Sequence, residues 1–128
     1  MQIELTELDL CAQNLGFDTE RISADHLNVS LIQGTIPKFK NTPNENDNAF
    51  GFLVTPWHTH DKLYCHTTSG KVIEFEPSLV LRALKCGDLI IVSRYLNGEL
   101  QDMWLEHIHG LSELDIEPHE EIRFRRIG

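Results

Sequence analysis

Residues 88–98, DLIIVSRYLNG, set the reading of the fold. Asp88 to Leu96 is apolar on both sides, which predicts a central strand covered on both faces. Asn97-Gly98 supplies the two left-handed positions that a two-residue hairpin turn requires. Residues 99–109 can be read two ways, because Leu100, Met103, Trp104 and Ile108 keep helical spacing while the turn predicts a returning strand. The turn chemistry is the more specific signal, so strand is preferred. The closing residues from Ile122, IRFRRI, form a last strand with Ile122, Phe124 and Arg126 on one face.

Working towards the N-terminus, residues 77–86 fit either a short helix, capped by Ser78 and ended by Gly87, or an irregular strand. Leu63 to Glu76 predicts a hairpin turning at Ser69-Gly70. A two-residue loop there pairs Tyr64 with Phe75 and His66 with Ile73, and turns Tyr64, His66, Ile73 and Phe75 inward. Ala49 to Thr55 is a strand, with Pro56 at its end. Residues 40–48, KNTPNENDN, read as a polar loop, and His26 to Gln33 as a strand alternating Leu27, Val29 and Leu31 with polar neighbours. Near the start, Thr6 is a candidate N-cap, Leu8, Cys11, Ala12 and Leu15 form a helical stripe, Leu5 and Leu10 a hydrophobic staple, and Gly16 a C-terminal cap. The expected fold is a mainly β (α+β) domain of six to eight antiparallel strands. It forms a strongly curved sheet or small β-barrel, with a short N-terminal helix and one further short helix if 77–86 is helical.

The chain of 128 residues fits a single globular domain, 1–128, long enough to bury a core without disulfides or metal. No apolar run approaches the roughly 20 residues of a membrane-spanning helix, and MQIELTELDL lacks the features of a signal peptide. Cys11, Cys65 and Cys86 are three in number and widely spaced, which fits a reducing, cytoplasmic setting. The net charge is −9 and unevenly spread. Residues 1–20 carry five acids and residues 99–121 eight, both without Lys or Arg, whereas Arg123, Arg125 and Arg126 make the tail basic. Such a surface repels a nucleic-acid backbone and attracts a basic protein.

Residues 51–70, GFLVTPWHTHDKLYCHTTSG, concentrate His58, His60 and His66. Were the strand to continue extended, Phe50, Phe52, Val54, Pro56, His58 and His60 would share one face. With His66 inward on the next strand, three imidazoles would converge on a divalent transition metal, leaving open positions for a ligand. Trp57 and Tyr64, the latter through its hydroxyl, would line that pocket.

In the order of Gly51, His58, His60 and Gly70, and in the interval from Gly70 to Gly87-Asp88, residues 51–90 resemble the cupin family. The resemblance implies a small β-barrel with a metal or small-ligand site. Tyr64 stands where the family's metal-binding glutamate is expected. In the second motif Ser93 and Tyr95 replace a proline and a glycine, and Gly98 replaces the last histidine ligand. The family's catalytic assignment therefore does not carry over.

His107, His109 and His119 lie within the acidic 99–121 segment, where neighbouring carboxylates would favour protonated imidazole and pH-sensitive association. No GxSxG, HExxH, P-loop or GxGxxG motif occurs, and whether the chain is an enzyme stays open. Three functions follow. One is a non-enzymatic interaction or inhibitor-type module taking a basic protein through Glu106, Glu113 and Glu117, with His107 and His109 beside them. The others are a cupin-like metal or ligand pocket and a homodimer formed through strand edges. The interaction module asks least of the sequence.

Overall fold

A computed structural model describes residues 2–31, 35–53, 55–113 and 116–127. Among these, ten strands and two α-helices form an α+β arrangement of antiparallel sheets. The first helix, α1 (Leu5–Asn14), buries Leu5, Leu8 and Ala12, one apolar stripe at helical spacing. Cys11 and Leu15, expected on that stripe, are half-buried. Glu4 rather than Thr6 precedes the first turn and makes no side-chain cap. Leu5 lies inside the helix, so it cannot staple to Leu10, which is 56% exposed. The helix ends as predicted at Gly16, where the Phe17 amide donates back to the Ala12 carbonyl at 3.0 Å.

Strands β1 (Asp18–Ser23), β2 (His26–Ser30), β3 (Pro37–Thr42), β4 (Asp47–Phe52) and β5 (His58–Thr59) form a sheet in chain order. Two of its strands were not expected. β1 is exposed along nearly its whole length and shows no apolar alternation. β3 and the start of β4 occupy most of the expected 40–48 loop, which shrinks to a 3-10 turn at Pro43–Glu45 followed by Asn46. In β3 the polar Asn41 is accommodated because a partner is supplied. Asn41 donates to the Ile3 carbonyl and accepts from the Ile3 amide, at 2.8 and 2.7 Å. On the inner face Phe39 stacks on Phe50, with ring centroids 5.5 Å apart, and Leu27 and Val29 lie beside them fully buried.

β6 (Leu63–His66) and β7 (Val72–Phe75) form the expected hairpin, but one residue out of register. Leu63 pairs with Phe75, Cys65 with Ile73 and His66 with Val72. The loop has three residues rather than two: Thr67 pairs with Lys71, and Gly70 takes the left-handed position (φ 83°) that closes it. A slip of one residue exchanges the faces of a strand. Leu63 and Cys65 therefore point inward, while Tyr64 and His66 point outward.

Helix α2 (Pro77–Cys86) resolves the 77–86 ambiguity in favour of helix. Pro77 starts it, Val80, Leu81, Ala83 and Leu84 are buried, and Gly87 caps it. Strand β8 (Leu89–Leu96) is central, between β10 (Glu120–Arg125) and β9 (Glu99–His107). Its first five residues are buried on both faces, and Asn97 and Gly98 adopt the left-handed turn expected of them. Residues 99–107 are strand, as the turn chemistry indicated.

One hydrophobic cluster runs from Leu5 to Leu105 and joins both helices to all three sheets' inner faces. The sheets are separate: five strands, three strands and two. The expected closed barrel is not formed and no sheet is strongly curved. Packing both helices against the sheets covers their apolar faces, so closure of a single sheet is not needed. No helix of the described residues is long and apolar enough to cross a membrane.

Phe39→Ala removes the residue on which the five-stranded sheet packs. We expect a loss of about 3–5 kcal/mol in urea unfolding, with a melting temperature lower by roughly 10–20 °C.

Candidate functional site

The chain does not stay extended from Phe52 to His60. It bends after Phe52 and returns as β5, whose two residues pair with β4: Gly51 with His58, and Phe50 with Thr59. The fold-back turns His58 and His60 to the outward face, where both are exposed, and Thr59 to the inner side. Gly51 makes this close pairing feasible, since a Cβ there would collide with the Trp57 carbonyl oxygen. The two rings meet edge to face with centroids 5.2 Å apart.

Each ring has a defined tautomer. Nδ1 of His58 lies 3.0 Å from the Pro56 carbonyl oxygen, and Nδ1 of His60 lies 2.8 Å from that of Asn48. Carbonyls only accept, so Nδ1 carries a hydrogen in both, and in the neutral rings Nε2 is the acceptor. His66 is elsewhere, at the end of β6, in a different groove. Among the described residues, no three His, Cys, Asp or Glu side chains are grouped to hold a metal. The structure thus brings His58 and His60 together but not with His66. The cupin-like order of glycines and histidines is likewise not accompanied by the family's barrel.

The groove that contains His66 gathers other expected residues. Trp57, Tyr64 and His66 meet Trp104 and Glu106 around a cavity of about 340 Å³, open to solvent and backed by Gly110. Tyr64 is 55% exposed. The Trp104 indole donates to Glu106 Oε1 at 3.1 Å, which fixes both side chains on the wall. Gly110 lies so close to the end of β6 that a Cβ would strike the His66 carbonyl oxygen. The Thr68 amide, which donates to the His109 carbonyl at 3.0 Å, ties the same two segments. Trp104 was missed as a site residue. The signal was available in strand parity, since Trp104 and Glu106 share the outer face of β9 while Met103, Leu105 and His107 are buried.

The acidic-segment residues disperse. Glu106 lies in the groove and Glu117 is exposed beyond it, whereas the side chain of Glu113 lies outside the described residues. His109 and His119 are exposed. His107 corrects the expectation of raised imidazole values. It is on the inward parity of β9, 8% exposed, and its ring stacks near Phe75. Burial first, and then His109, hold its pKa below the ordinary histidine value, against a smaller opposing pull from Asp88. Its Nδ1 accepts from the His109 amide at 3.1 Å, so the neutral ring carries its hydrogen on Nε2. Cys65 is similarly shut in: burial, helped by the Glu106 charge, pushes its thiol up to about 11, which keeps it protonated at neutral pH.

No protein-family model matches the chain, and no curated protein or solved structure is significantly similar to it.

A neutral buried His107 has a consequence for stability. As pH falls below about 6.5, the unfolded imidazole takes a proton that the folded one resists, so stability declines towards the lower folded value. In unfolding titrations across that window, His107→Phe is expected to flatten the decline.

Proposed function

We propose that the protein is a non-enzymatic interaction module, of inhibitor type, that takes a basic protein partner on the groove between β6, β9 and Trp57. The observation that carries this reading is the coincidence of two indoles, an exposed tyrosine and a carboxylate around one open cavity. Aromatic side chains with a polar edge dominate the energetics of protein recognition, because they bury much area at little entropic cost. They also attract cations to their faces. The lining residues include Glu106 and no Lys or Arg, and β9 belongs to the segment with eight acids. A lysine- or arginine-rich surface would be steered here before contact and held by the aromatic groups after it. The three free cysteines fit work in a reducing, cytoplasmic setting.

Binding to an arginine-rich peptide, followed by calorimetry at low salt, tests the proposal. Glu106→Lys and Glu117→Lys should slow association and weaken affinity, with the difference shrinking as ionic strength rises. Tyr64→Ala, a change at an exposed position, should cost about tenfold or more. No binding at low salt, or wild-type affinity in all three variants, overturns it.

A further inference from the structure

The outward face of the five-stranded sheet carries a second groove, of about 180 Å³, that shares only Trp57 with the first. Strand register builds it. Lys38 lies opposite Gly51, which lies opposite His58; Lys40 lies opposite Ala49, with His60 at the open end. Two lysines and two histidines therefore border a low floor made of Gly51 and Ala49. In a chain of net charge −9 this is a local reversal of sign. Two residues apart on one strand, the lysines are separated by roughly 7 Å along the backbone, and a doubly charged anion between them relieves their repulsion. The nearby carboxylate, Asp47, shares the outward parity of Ala49 and Gly51 but is engaged: it lies 3.1 Å from Nδ1 of His60 and accepts from the Asn48 amide. Glu20 stands further off, beyond Asn28 on the β1 edge.

The histidines add a second requirement. With Nδ1 donating to a backbone carbonyl, each neutral ring offers Nε2 as a hydrogen-bond acceptor. The groove thus combines cationic donors with neutral acceptors. A metal ion would meet two ammonium groups beside its imidazole ligands and be repelled. A fully deprotonated oxyanion would satisfy the lysines and leave the imidazoles facing its oxygens. A phosphate with a hydroxyl beside it serves the lysines and gives the acceptor pair a donor, and a sugar phosphate carries further hydroxyls for the second imidazole.

We propose that this groove binds such a group, either hydrogen phosphate itself or a small sugar phosphate. Nζ of Lys38 and Lys40 hold the phosphate oxygens, Nε2 of His60 accepts from the single O–H of hydrogen phosphate, and Nε2 of His58 is left for a sugar hydroxyl. Trp57 walls one side and offers a sugar ring an apolar surface.

Phosphate and sulfate, titrated into the full chain at about pH 8, form a matched pair, because both are dianions above the ordinary imidazole range and only phosphate carries a hydroxyl. The readout is the amide NMR shifts of residues 49–51 and 58–60. Phosphate should bind saturably and about tenfold more tightly than sulfate, the worth of a hydrogen bond to a charged group. His60→Ala should bring phosphate down to the sulfate level. Lys38→Gln with Lys40→Gln should abolish both responses, while Lys71→Gln, in the β6–β7 turn, leaves them unchanged. Ribose 5-phosphate binding more tightly than phosphate identifies a sugar phosphate as the source, and equal affinity identifies the free ion. Equal binding of sulfate and phosphate, no shift at these residues, or wild-type affinity in the double lysine variant overturns the proposal.

Discussion

The stacking of Phe39 on Phe50 is the constraint on which the described surface depends. These two rings are opposite one another across β3 and β4, and both are buried. Because successive side chains alternate across a sheet, placing this pair inward sends Lys38, Lys40, Ala49 and Gly51 outward. The same pair sets where β5 can dock, since Thr59 lies opposite Phe50 and His58 opposite Gly51. One apolar contact therefore settles which polar groups share a surface. No attraction among the lysines and histidines is needed to bring them together.

Much of the fold was legible where local chemistry was unambiguous. The Asn97-Gly98 turn, the doubly apolar β8 and the Gly16 end of α1 each rest on a physical requirement that few residues meet. Long-range features were not legible in the same way. Whether the β6–β7 loop holds two residues or three differs by one position in Thr68-Ser69-Gly70, yet it decides whether His66 is inside or outside. Strand parity beyond Phe52 depended on the chain staying straight, and the bend before β5 broke that premise. β1 was hidden because it is exposed and lacks apolar alternation, and β3 because a polar residue such as Asn41 is satisfied by Ile3, which no local window contains. For the site, composition drew attention to Trp57, Tyr64, His58, His60 and Glu106, but their division into two grooves depends on register and was hidden from it.

Trp57 belongs to both of those grooves. One of its neighbourhoods is aromatic and acidic, the other cationic, and its ring also rests near Phe52 in the core, centroids 5.8 Å apart. A chain whose overall charge is strongly negative thus presents opposite signs on either side of a single indole.

The amide of Asn41 behaves as a peptide group mounted on a side chain. It offers a carbonyl and an N–H with the spacing that a neighbouring strand would offer, and Ile3 uses both. The N-terminal residues before α1 therefore gain one rung of a sheet without belonging to one. In hydrogen-exchange terms, the Ile3 amide is expected to open together with β3, whose Asn41 side chain holds it.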